Sequence, residues 1–217
     1  MLPQQCLLCA APAVSQPLCA DCYARLPWLT TARCPQCALP THDGRVCGAC
    51  LAHQPRFDGV SAAFAYAWPL APLIHHYKYA GNLALAWLLA HALAAQVNGA
   101  VDLIIPMPLA PQRLRSRGFN QALEIARVVS RLTAIPLAAT ACRRVRDSTP
   151  QALLPWNERA KNIRGAFVCD ADLRGMRVAV IDDVMTTGAT LNEIARNLRK
   201  AGAVEIQGWM VARTLPR

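Results

Sequence analysis

The hydrophobic pattern changes character near residue 55. Beyond it, short apolar runs alternate with longer amphipathic stretches. Residues 60–68 alternate small and aromatic side chains and predict a strand. Residues 69–79 predict a short helix, broken at Gly81-Asn82. Residues 83–97 are apolar on nearly every face, which predicts a buried helix. Residues 101–105 predict a strand stopped by Pro106-Met107-Pro108, with a basic turn after it. Residues 120–133 predict a helix with Ala122, Ile125, Ala126, Val129 and Leu132 on one face. Residues 136–142 predict a strand, 146–165 lack periodicity and predict a long loop, and 166–168 predict a short strand. A last strand is expected over 204–211. Strands alternating with helices predict an α/β fold with a parallel, doubly wound sheet.

The most informative stretch is 178–191. Val178, Ala179, Val180 and Ile181 form an apolar run that predicts a strand buried on both faces. Asp182 and Asp183 follow at its carboxyl end. The turn Thr186-Thr187-Gly188-Ala189-Thr190 then opens a helix whose Leu191, Ile194, Ala195, Leu198 and Ala201 share one face, with Gly202 as its cap. A strand, a turn of small polar residues and a helix N-terminus make an anion site.

Before residue 55 the pattern is carried by cysteine. Cys6, Cys9, Cys19 and Cys22 have the spacing C-x2-C-x9-C-x2-C, and Cys34, Cys37, Cys47 and Cys50 repeat it 28 residues later. Paired knuckles suit two tetrahedral Zn²⁺ sites, and four thiolates each leave no open position, so both would be structural. The sets are taken sequentially, although a crossed pairing satisfies the same spacing. A redox or iron–sulfur role fits a spaced duplicate poorly. Cys142 and Cys169 stand apart and read as core thiols. The expected organisation is a double zinc-ribbon module over 1–55 and one α/β domain over 56–217.

The formal charge of +10 points to phosphates, nucleotides or nucleic acid. Eight thiolates holding two Zn²⁺ would remove four of those ten charges, which weakens the case for nucleic acid. The ribbon stretch is itself poor in basic residues, with Arg25, Arg33 and Arg45. Residues 1–9 lack a basic, apolar leader and 83–95 is too short to span a bilayer, so a cytoplasmic chain without membrane insertion is expected.

Residues 178–190 resemble the phosphoribosyl-diphosphate (PRPP) signature of type I phosphoribosyltransferases: four apolar residues, two acids, then Thr-Thr-Gly-x-Thr after two positions. More of the chain resembles the ComF/GntX family. The cysteine module, the run Arg115-Ser116-Arg117-Gly118-Phe119-Asn120-Gln121, and Thr149-Pro150-Gln151 with Glu158-Arg159 and Asn162 occur in that family's order. The resemblance implies a type I phosphoribosyltransferase-like domain behind a zinc-ribbon module with four cysteines per site. It implies that Asp182 and Asp183 accept from the ribose hydroxyls and favour an oxocarbenium-like transition state. It also implies that Met185, Thr186, Thr187, Gly188, Ala189 and Thr190 hold the 5-phosphate.

By the same resemblance, Pro106, Met107 and Pro108 form the pyrophosphate loop, with Arg113, Arg115 and Arg117 placed to neutralise diphosphate. Mg²⁺ would arrive with PRPP. Residues 143–165 match the catalytic loop in position, with Arg143, Arg144, Arg159 and Lys161 as candidates to meet pyrophosphate; Arg144 and Lys161 join the acid pair as expected catalytic residues. Lys78 resembles a family lysine, whereas His75 and His76 read as packing or surface groups. Since six residues follow Val211, a hood over the acceptor is expected from the zinc module or from 57–99. The implied function is chemistry at C1 of PRPP in DNA uptake or utilisation. A non-catalytic adaptor binding PRPP or phosphate is the alternative, with single-stranded DNA or DNA-uptake proteins as further partners.

Overall fold

A computed structural model describes residues 4–13, 16–97, 99–146 and 163–216. A small antiparallel pair, β1 (Gln4–Gln5) and β2 (Pro12–Ala13), precedes the short helices α1 (Ala20–Ala24) and α2 (Gly48–Ala52). Then come β3 (Gly59–Ala65), α3 (Leu70–Ala80), α4 (Leu83–Ala94), β4 (Leu103–Pro106), α5 (Pro111–Arg117) and α6 (Gln121–Thr133). The chain closes with β5 (Cys142–Arg144), β6 (Phe167–Cys169), β7 (Arg177–Met185), α7 (Ala189–Lys200) and β8 (Glu205–Arg213).

The central sheet has the order β3-β8-β7-β4, and every pairing is parallel. Its register sets Ile104 beside Ala179 and Ile181 beside Trp209. The run at 178–181 is buried on both faces, as its pattern predicts. Ala179 and Ile181 enter a core shared with α3, α4 and α6, while Val178 and Val180 enter a second core shared with α7. Val178, Val180 and Ile181, fully buried, each contribute about 1.5–3 kcal/mol. The strand continues through the acid pair to Met185, four residues beyond the apolar run.

Helix α6 shows how sequence sets an element. Asn120 caps it, its Oδ1 accepting from the N–H of Ala122 at 3.0 Å and of Leu123 at 3.4 Å. Ala122, Ile125, Ala126 and Val129 face the core, but Leu132 is exposed, one turn past the last packed position. Helix α6, in the β4–β5 connection, lies on one face of the sheet and α7, after β7, on the other. The gap between the adjacent strands β4 and β7 is therefore a topological switch point, where open α/β sheets bind ligands.

Two expectations fail. The basic turn after Pro108 is helical, with Pro111 opening α5 and Gly118 ending it in the left-handed region. The strand expected over 136–142 shrinks to one bridge, Leu137 to Ile104, and Cys142 belongs instead to β5, paired antiparallel with β6. Ala138 to Ala141 offers no branched or aromatic side chain but Thr140 to hold a pleat between them.

The ribbons straddle the β3 edge of the sheet. Their connecting segment runs antiparallel along β3: Leu29 N–H donates to Ala63 O at 3.0 Å and Ala65 N–H to Pro27 O at 2.7 Å. Trp28 bridges to Phe64, ring centroids 4.3 Å apart. The exposed edge of a parallel sheet is thereby covered. The first ribbon packs its Cys6, Leu18 and Leu26 into the α3–α4–α6 core, and the second packs Cys34, Cys37 and Cys50 into the α7 core. No helix among the described residues is long and apolar enough to cross a membrane.

Candidate functional site

The carboxyl ends of β4 and β7 open on a cavity of about 520 Å³. Asp182, Asp183, Thr186 and Thr190 form its floor, Met107, Pro108, Arg113 and Arg117 one wall, and Tyr66, His75, Lys78 and Tyr79 the other, with Arg144 also lining it. A more open hollow of about 650 Å³ lies between the second ribbon and α7, where Arg199 is paired with Asp58. It has no acid pair beside a phosphate-type turn and is not the better candidate.

The floor is built by local geometry. Gly188 sits at φ +81° as the N-cap of α7, a conformation that disfavours any other L-residue. A Cβ there would also come within 2.7 Å of Met185 Cε. Thr187 Oγ1 accepts from Ala189 N–H at 3.2 Å, and Met185 and Gly188 line a small cleft of about 30 Å³ beneath the turn.

The acids are not equivalent. Lys78 Nζ lies 2.9 Å from Asp183 Oδ2, with both side chains largely buried. Burial works against the Lys78 ammonium, but the charge and hydrogen bond of Asp183, aided by Asp182, outweigh it and leave its pKa raised. Asp182 Oδ1 accepts from the Asp183 N–H at 2.8 Å. Burial first, and the Asp183 charge second, raise the Asp182 pKa, against the lowering pull of Lys78 and Arg144. The pair thus holds a lysine and retains an acceptor facing the cavity.

The Arg117–Gln121 run is a clasp. Arg117 Nη1 donates to Gln121 Oε1 at 3.0 Å and its guanidinium lies 5.2 Å from the centre of the Tyr79 ring. Asn120 Nδ2 donates to Met107 O at 3.1 Å, tying the 106–108 loop to the start of α6. Tyr77 donates to Gln121 O at 2.9 Å and packs on Phe119. One motif therefore positions the loop, the helix and the arginine together.

Other expected residues part company. Arg143 turns outward and pairs with Asp170 at 2.9 Å, while its neighbour Arg144 lines the cavity. Arg159 and Lys161, like the Thr149-Pro150-Gln151 segment and most of the expected loop, lie outside the described residues. Pro106 closes β4 and is buried below the cavity wall. His75, expected to be a packing or surface group, lines the cavity and stacks on Tyr79 at 4.6 Å. The i, i+3, i+4 spacing of His75, Lys78 and Tyr79 is the signal that could have found this wall. One wall of the cavity thus comes from residues within 57–99, and among the described residues no ribbon residue lines it.

The cysteines gather sequentially. The sulfurs of Cys6, Cys9, Cys19 and Cys22 lie within 4.8 Å of one another, as do those of Cys34, Cys37, Cys47 and Cys50. Cys9 and Cys19 Sγ are 3.7 Å apart, and Cys37 and Cys47 Sγ 3.6 Å. A tetrahedral site with Zn–S bonds of about 2.3 Å needs edges of about 3.8 Å, so the donor sets fit Zn²⁺. Of the ribbon arginines, Arg33 donates to Ala62 O at 3.0 Å and Arg45 pairs with Asp43.

Sequence reasoning missed Arg213. Only 2% exposed, it donates from Nε to Cys37 O at 2.8 Å and from Nη1 to Met185 O at 3.1 Å, to Thr214 O at 2.8 Å and to Thr186 O. Nothing in its local sequence announces this.

Ribbon cages and switch-point site together define a two-part class: a double zinc ribbon joined to a phosphoribosyltransferase-type α/β domain. The double zinc ribbon domain family matches residues 1–51 and the phosphoribosyl transferase domain family matches 114–213. The chain is 34% identical to the DNA utilization protein YhgH of Shigella flexneri over 99% of both chains. It is 36% identical to competence protein F of Haemophilus influenzae over 77% of this chain and 78% of that one. Among solved structures, the glutamine PRPP amidotransferase from B. subtilis complexed with ADP and GMP is 22% identical over 57% of this chain and 25% of that chain. Its TM-score is 0.41, too low to argue from. The chain belongs to the ComF family, with YhgH and competence protein F.

Proposed function

We propose that the chain binds PRPP at the carboxyl end of β7 and catalyses Mg²⁺-dependent transfer at its C1, in the handling of DNA that its relatives' names describe. Residues 1–55 act as the ribbon module and 56–217 as the transferase-like domain. The observation that carries this reading is a cavity with an acid pair, Thr186 and Thr190 on its floor and Arg113, Arg117 and Arg144 around it, beside the small cleft lined by Met185 and Gly188. That order of charge matches a ribose 5-phosphate at one end and a diphosphate at the other.

Asp182 accepts from a ribose hydroxyl. Asp183 does so by sharing or releasing Lys78, which now holds its Oδ2. The two carboxylates favour the positive charge that grows on the ribose as the C1–oxygen bond breaks and its electron pair leaves with pyrophosphate. A nucleophilic acceptor then forms the new bond to C1. Arg113, Arg117 and Arg144 meet the departing charge. Mg²⁺ bound with the diphosphate would supply charge neutralisation.

PRPP-dependent release of pyrophosphate, assayed across nucleobases and single-stranded oligonucleotides, tests the transfer. Release that is lost in Arg144→Ala while PRPP still binds supports the enzyme. Tight PRPP binding without release under any acceptor favours the non-catalytic adaptor. That alternative needs only the phosphate cradle.

A further inference from the structure

We propose that Arg213 is a positioning residue that locks the 5-phosphate turn to the second four-cysteine cluster, so that metal at that cluster, and not at the first, sets the affinity for a ribose 5-phosphate group. The inference rests on the phosphate-site reading above and deepens it.

The geometry is specific. The Arg213 guanidinium takes carbonyls from three separate segments: the knuckle at Cys37, the turn at Met185 and Thr186, and its own neighbour Thr214. It is buried, and every bond that defines its position ends on a backbone oxygen. A trans peptide directs its C=O and N–H to opposite sides. Carbonyls of Met185 and Thr186 that point at Arg213 therefore turn the N–H groups of Thr186 and Thr187 away from it. Thr186 lines the cavity on that other side. The guanidinium thus sets the orientation of donors that an anion would meet.

The same guanidinium answers to the metal cluster. A Zn²⁺ held by four thiolates leaves a net negative centre, and Arg213 is tied to the knuckle of that centre through the Cys37 carbonyl. A buried arginine without a carboxylate partner is costly to hold, and a nearby negative centre offsets that cost. Phe57 lies on the same path: a Cβ at Gly188 would be 3.7 Å from its Cζ, and it shares the core with Cys34, Cys37 and Met185. Among the described residues the first cluster shows no such route. Its neighbours are Leu18, Leu26 and the helices of the opposite face.

Calorimetric titration of the full chain with ribose 5-phosphate, and separately with Mg²⁺–pyrophosphate, tests the proposal, with zinc content measured by mass spectrometry. Arg213→Met is expected to weaken ribose 5-phosphate by about tenfold or more and to leave pyrophosphate within about twofold. Arg213→Lys keeps the charge but not the fork, and is expected to recover part of the loss. Cys37→Ser should reproduce the selective loss, whereas Cys9→Ser, which empties the first cluster, should not. Should Arg213→Met fail to fold, the Arg213→Lys and zinc-site variants carry the same comparison. Wild-type binding with unchanged ribose 5-phosphate affinity in both Arg213 variants overturns the proposal. Parallel loss of both ligands in the variants overturns it too, since Arg213 would then support the fold at large. A wild-type chain that binds neither ligand overturns the phosphate-site reading itself.

Discussion

The two ribbons repeat one cysteine spacing and one knuckle backbone, yet they sit in different surroundings. Ala10 and Ala38 hold equivalent left-handed positions in the two knuckles, at φ +60° and +57°. Their N–H groups donate to Cys6 O and Cys34 O, each at 2.9 Å. Cys19 and Cys47 each precede a short helix. The surroundings diverge. Cys9 is exposed, whereas its counterpart Cys37 is buried, and Cys50 is more buried than Cys22. The first ribbon leans on the helices that carry Lys78, the second on the turn that would hold phosphate. Duplication supplied two cages; docking on opposite faces of one sheet edge gave each a different neighbour.

This contrast can be broken in several ways. The largest effect is expected from the cages. Cys50→Ala should destabilise the chain by about 3 kcal/mol or more, and clearly beyond Cys22→Ala, because Cys50 lies within the α7 core. Thermal melting with zinc quantified reads the difference, and equal losses would erase the distinction between the ribbons. Next comes the segment that serves both. Trp28→Ala removes a ring packed on Phe64 and Tyr23 and should cost about 2–3 kcal/mol in urea unfolding. It should do so without favouring loss of either metal.

A smaller effect belongs to the turn. Gly188→Ala puts a side chain at φ +81° and should cost about 1–2 kcal/mol in the same urea experiment, with a weaker phosphate affinity. The smallest is Arg45→Ala, which removes an exposed pair with Asp43 at the tip of the second ribbon. No change in melting or in ligand affinity is expected, and a change in either would show that the tip reaches the site.

The strand–turn–helix of the floor and the eight metal ligands were legible in the sequence because their determinants are local. Spacing alone defines a knuckle, and an apolar run followed by acids and a glycine turn defines the other. The parallel sheet followed from alternation. Helix α5 was not legible because its single large apolar residue, Leu114, is itself exposed, so no stripe marks it. The cavity wall on α3 was half legible: Leu70, Leu73, Ile74 and Tyr77 make the buried face, and His75, Lys78 and Tyr79 fall off it. Arg213 was invisible because its partner Cys37 lies 176 residues away and Met185 lies 28 away. The strand expected over 136–142 failed for the opposite reason, since a weak local preference found no continuous neighbour.

The central claim is that the floor of the cavity is a PRPP site. Titrating PRPP with Mg²⁺ into the full chain and into Asp182→Asn/Asp183→Asn tests it most directly. Micromolar-range binding by the wild type and its loss in the double variant, with both proteins equally folded and equally loaded with zinc, is the predicted result. Binding of undiminished strength in the double variant would contradict the account.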